Sequence, residues 1–199
     1  MVMLKKCKKA ITVLFILFAF LQLQAQALRT IRNTTPVFTI NSNLLYDATM
    51  SMNLGIEYKI NERLTLKLPV TYNPWTFDHN RKFKFILTQP ELRWWLCESF
   101  SGHFFGLHGH YAYYNVGSIG TNYMKKHRYE GDLYGAGISY GYQFYLAPRW
   151  SLEASIGVGY AYMNYNVYKC ETCGEYIKSE NKNYFGPTLA DISLIYILK

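Results

Sequence analysis

Tyr134-Gly135-Ala136-Gly137-Ile138-Ser139-Tyr140-Gly141-Tyr142-Gln143-Phe144 alternates with period two. Every even position is apolar or aromatic, and every odd position is glycine, serine or glutamine. A pleated strand sends successive side chains to opposite faces, so one face is greasy and the other small and polar. Seven further stretches between Phe38 and Lys199 carry the same alternation. The expected strands are Val37–Tyr46, Ser51–Ile60, Leu64–Asn73, Phe85–Cys97, His103–Val116, Asp132–Leu146, Trp150–Val167 and Tyr184–Leu198. Behind an export signal, this pattern predicts an all-β fold. It is an eight-stranded antiparallel up-and-down transmembrane β-barrel with a side-chain-filled lumen, in the outer membrane of a Gram-negative bacterium.

The export signal is read from residues 1–27. Lys5, Lys6, Lys8 and Lys9 precede an apolar run from Ile11 to Leu21, and Ala25-Gln26-Ala27 offers small-x-small cleavage. Cleavage is expected after Ala27, with Ala25 as the alternative. The run is shorter than the ~17–25 residues of a membrane helix. A short segment, 28–36, then leads into the barrel domain, 37–199. Removing the four signal lysines from 21 Lys+Arg leaves 17 against 13 Asp+Glu. That mild, dispersed charge lacks the clustered basic face of a nucleic-acid binder.

Connection lengths give a direction. Asn61–Arg63, Glu98–Gly102 and Ala147–Arg149 are tight, while Pro74–Lys84, Gly117–Gly131 and Tyr168–Asn183 are long. Outer-membrane barrels keep short turns on the periplasmic side and long loops outside. The turn Asp47–Met50 is the exception, short within the long series. An eight-stranded lumen is narrow. The bulk of Tyr134, Ile138, Tyr140, Tyr142 and Phe144, with Ile156, Val158, Tyr160 and Tyr162, therefore faces lipid. Gly135, Gly137, Ser139, Gly141, Ser155, Gly157, Gly159 and Ala161 face inward. A soluble lipocalin-like carrier, the other eight-stranded option, would need that aromatic bulk inside.

The inward face collects Asn41, Asn43, Glu57, Lys59, Lys67, Gln89, Glu91, Arg93, His108, His110, Glu153 and Asp191. Buried charges pair or change protonation, so the leading expectation is an internal salt-bridge plug. A gated narrow pore and an acid–base site are the sharper alternatives. His108 and His110, alternate residues on one strand, have the spacing to bind a metal or shuttle protons. Zinc sites use three or four ligands, which no spacing here supplies. The expectation is imidazoles hydrogen-bonded to luminal carboxylates, with no metal and no cofactor. Cys170 and Cys173 in the last outward loop are expected to form a local disulfide. Ser99, Ser101 and His103 cluster at a turn, and Ser118 follows the histidine strand, but neither group has a nucleophile elbow or an orienting carboxylate. No catalytic residue is assigned and the chain is read as non-enzymatic.

Several strings then carry a resemblance: Asn43-Leu44-Leu45-Tyr46-Asp47-Ala48-Thr49, Tyr72-Asn73-Pro74-Trp75, Gln89-Pro90-Glu91-Leu92-Arg93-Trp94-Trp95, Arg128-Tyr129-Glu130-Gly131 and Asn183-Tyr184-Phe185-Gly186-Pro187-Thr188. Together they resemble the domain-of-unknown-function 3575 family, small exported proteins of Bacteroidota. The resemblance implies an outer-membrane barrel and, since some members are encoded near fimbrial genes, a role in surface assembly. It brings no catalytic residues. The expected function is therefore a small outer-membrane protein in contact with membrane lipid. Its outward loops would meet surface polymers such as glycan or lipopolysaccharide, or fimbrial and other surface proteins. A narrow channel, a lipid-active enzyme and a lipocalin-like carrier are the alternatives.

Overall fold

The structure, a computed structural model, describes residues 36–77, 81–117, 127–169 and 174–198. The expected signal peptide, most of the segment that follows it, and Ser118, Cys170 and Cys173 lie outside the described residues. Ten strands and one short helix follow in order: β1 Phe38–Asn43, α1 Leu44–Ala48, β2 Met52–Asn61, β3 Leu64–Asn73, β4 Thr76–Phe77, β5 Arg81–Thr88, β6 Glu91–Trp95, β7 Gly102–Gly117, β8 His127–Ala147, β9 Trp150–Lys169 and β10 Tyr176–Leu198. All pairings are antiparallel. Since β1 pairs with β10 as well as β2, the sheet closes into a ring. β5 and β6 act as one rung, both pairing with β3 and β7. The break between them falls at Gln89-Pro90, where proline has no amide proton for the ladder. β4 is a two-residue hairpin arm on β5. Eight rungs thus complete the circuit.

Several of the expected strand boundaries move by two residues or more. Leu44–Tyr46 is helical, not strand. Asn43 caps α1 by accepting from Leu45 N at 2.9 Å, as asparagine does at a helix start. Asn43 N in turn donates to Asn53 Oδ1 at 2.6 Å and Asn53 Nδ2 donates to Asn43 O at 3.0 Å, holding the strand end against β2. The rung expected from Phe85 starts at Arg81. The longest change is on the side of the long connections, where β8 and β10 begin at His127 and Tyr176 and β9 runs on to Lys169. These additions pair Arg128 with Gly117 and Tyr168, and Tyr176 with Tyr168. The sheet therefore reaches about seven residues past Tyr134, ~20–25 Å at strand rise.

Polarity runs inside out. Leu54, Leu107, Ile138 and Ile156 on the outer face are 59, 60, 64 and 61 % exposed, while Glu57, Arg93 and Glu153 inside are 0 % exposed. At the tight-turn end Trp95, Phe100 and Phe104 close the interior, with Trp95 centred 4.8 Å from Phe104 and 6.1 Å from Phe100. Phe100 reaches this position with φ of 66°, followed by Gly102 at 81°.

Small residues on β8 and β9 make room for larger side chains opposite. A Cβ on Gly159 would strike the Ala136 carbonyl and the Gly137 Cα, whereas one on Gly109 meets nothing nearer than 3.9 Å. Gly159→Val is expected to destabilise by ~1–3 kcal/mol through overpacking, and Gly109→Ala to change stability by less than ~1 kcal/mol. Urea unfolding midpoints of the two variants against wild type would check this; equal losses would mean the sheet yields at Gly159.

Candidate functional site: an ion lattice inside the ring

Arg93, on β6, points into the ring because its neighbours Leu92 and Trp94 point out. Its Nε donates to Glu91 Oε2 at 2.7 Å. Nη1 donates to Glu57 Oε2 at 3.0 Å and Glu153 Oε2 at 2.7 Å, and Nη2 to Glu153 Oε1 at 2.7 Å. One guanidinium thus ties β6 to β2 and β9. Lys67 on β3 makes the second node, donating to Glu153 Oε1 at 3.0 Å and Asp191 Oδ2 at 2.5 Å. Neutral donors fill the remaining positions: Thr65 to Glu57 at 2.5 Å, Ser139 to Glu91 and Ser193 to Asp191. Every oxygen of the four carboxylates has a donor. This matters because a buried charge without partners costs several kcal/mol.

Arg93 also lies 4.3 Å above the centroid of Phe104, a cation–π contact, and Trp95 Nε1 donates to Thr65 at 2.9 Å. The aromatic end and the lattice are therefore bonded layers. Four carboxylates face two cations, so the lattice has an acidic excess.

The inward residues named from the sequence divide into those that join this lattice and those that do not. Glu57, Lys67, Glu91, Arg93, Glu153 and Asp191 come together. Lys59 is half-buried near the strand end and takes no part in the lattice. The imidazoles differ from expectation. His108 bonds Thr188 Oγ1 through Nε2 at 2.9 Å, not a carboxylate, and His108 Nδ1 and both nitrogens of His110 are buried without a partner. Thr188 was not foreseen. The register shift between Pro187 and Leu189 places it at a β-bulge, which re-aims a side chain. Its carbonyl also accepts from Gln89 Nε2 at 2.9 Å, so β10 is tied across the interior to the β5–β6 junction.

The serine group at the turn is dispersed. Ser99 Oγ donates to the carbonyls of Asn61 and Glu62 at 3.0 and 2.8 Å. His103 is on the outer face, its Nδ1 2.7 Å from Tyr140 Oη. Cys97 is exposed.

At the far end, β10 from Tyr176 to Phe185 is exposed on both faces and, among the described residues, pairs with β9 alone, since β1 stops opposite Ser193. The edge is dressed with Lys178, Glu180 and Lys182, and Phe185 is 81 % exposed. Hydrogen bonding from Lys169 and Lys178 holds the carboxyls of Glu175 and Glu180 below their usual range.

A family model described as "Protein of unknown function (DUF3575)" matches residues 11–198. The chain belongs to the DUF3575 family. No curated protein and no solved structure was found to match it. This DUF3575 chain thus has two built features, the ion lattice and the sheet extension at the long-connection end.

Arg93→Ala is expected to destabilise by ~3–5 kcal/mol, the cost of stranding buried charge. Lys67→Met should cost less, because Glu153 keeps Arg93 and Asp191 keeps Ser193. Denaturant unfolding of both variants gives the order; a larger loss at Lys67 would make that residue the node instead.

Proposed function

We propose that this protein is a non-enzymatic outer-membrane β-barrel that presents its outward sheet to surface components of the cell. The observation that carries the membrane reading is the inverted polarity. In water, exposed side chains such as Leu54, Leu107, Ile138 and Ile156 would each forfeit ~1.5–3 kcal/mol of burial, while the buried core is ionic. In a bilayer both faces are satisfied. Aromatic side chains flank the apolar belt: Trp94, Phe144 and Trp150 toward the tight turns, and Tyr72, Tyr111, Tyr134 and Tyr160 toward the long connections. Such girdles belong at the two lipid–water boundaries. Trp150 stacks edge-on with Tyr196 at 4.9 Å, strengthening the inner one.

The partner reading rests on the outward sheet. A strand edge that no described residue covers offers main-chain donors and acceptors to an extended segment of another chain, the β-augmentation mode. Lysines along the edge discourage indiscriminate pairing. The preferred partner is a fimbrial or other surface protein, with glycan or lipopolysaccharide as the alternative through Tyr176, Phe185 and the lysines. The sealed interior supports a presenting role over a conducting one: the lattice and the Trp95–Phe100–Phe104 end fill the path.

Two experiments test these readings. Ile138→Arg and Ile156→Arg should each cost ~2–4 kcal/mol in a bilayer, against ~0.5 kcal/mol or less for Ser179→Arg on the outward sheet; equal tolerance in urea unfolding from liposomes would remove the membrane reading. A photo-crosslinker at Asn183 in intact cells should capture a surface protein, and one at Glu62 should not. Equal capture at both positions would refute the orientation.

A further inference from the structure

We infer that His108 and His110 hold a divalent transition-metal ion, of the copper, nickel or zinc class, inside the ring. The two side chains alternate on β7 and face inward, 0 and 6 % exposed. Their ring centroids are 5.8 Å apart with planes at 36°. An imidazole nitrogen sits ~2.0–2.1 Å from zinc, so two rings sharing a metal at a tetrahedral angle have centroids ~5 Å apart, and ~6 Å when the angle widens. The observed spacing falls in that interval.

Three of the four ring nitrogens are buried with no partner. The fourth, His108 Nε2, is bonded to Thr188 Oγ1. A ligating histidine is commonly oriented in this way by a hydrogen bond at its other nitrogen, which here leaves Nδ1 as the ligand atom. The field favours a cation as well. Glu91 is the cross-strand neighbour of His108, and the lattice beneath has two more carboxylates than cations.

Among the described residues no third histidine, cysteine or carboxylate completes a cluster, so the two imidazoles are the ligands the protein supplies. The donor set is imidazole, which suits copper, nickel and zinc and not calcium or magnesium. Copper(II) is the strongest binder in that series and is the probe of choice.

The test uses the full chain refolded in detergent, stripped with chelator and titrated with Cu²⁺ under electron paramagnetic resonance. One ion per chain, with superhyperfine splitting from two nitrogens, is expected. H108Q and H110Q should each weaken binding by about tenfold or more, since losing even an outer-shell partner of a ligand costs about that much. H103Q, on the outer face, should leave it unchanged. A companion variant, H79Q/H103Q/H127Q, keeps the pair as the chain's remaining histidines and must retain the two-nitrogen signal. Loss of the signal there, or equal binding by wild type and H108Q, would overturn the site and assign the copper to surface histidines. If H108Q and H110Q fail to refold, the companion variant alone decides.

Discussion

The guanidinium of Arg93 is the constraint on which the interior depends. A narrow ring of eight rungs offers little volume, and an apolar filling would leave nothing to fix the distance between opposite walls. A planar fork with donors in fixed directions does that. It sets the separation of β6 from β2 and β9, and Glu153 passes the constraint to Lys67 and on to Asp191. Glycine and serine on β8 and β9 follow from the same geometry, since long side chains on one wall require short ones opposite. The outer face is then free to be apolar without competing for the centre.

Period-two alternation was enough to read the closed antiparallel sheet, because one buried and one outer face leave the same trace on every rung. Parity placed Glu57, Lys67, Glu91, Arg93, Glu153 and Asp191 inside. It did not pair them. Which carboxylate meets Arg93 depends on register across several strands, and no local window contains it. The bulge at Thr188 was equally hidden, since Gly186-Pro187-Thr188 reads as an irregular strand start. The helix at Leu44 turned on an asparagine whose partner, Asn53, lies ten residues on. The first half of β10 was unreadable for a different reason. Lys178 to Asn183 is polar at every position and exposed on both faces, so it leaves no periodic mark.

Layering along the ring follows from these placements. Aromatic residues close one end, the ions occupy the next layer, and the histidines and Gln89 lie beyond, tied to Thr188. The aromatic and ionic layers are joined by two contacts, Arg93 on Phe104 and Trp95 on Thr65. Disturbance in one layer therefore reaches its neighbour through few routes.

β1 has a distinct place in this scheme. It meets β2 over four residue pairs and β10 over six before α1 turns it away. Its inward side chains, Thr39, Asn41 and Asn43, carry no charge. The remaining rungs already contain every ionic member of the lattice, so a curved sheet running from β2 to β10 can neutralise its charges before the circle is complete. The closing step then joins a short strand of uncharged inward residues to both neighbours through its backbone ladders. β1 is in this sense the last strand that the architecture requires.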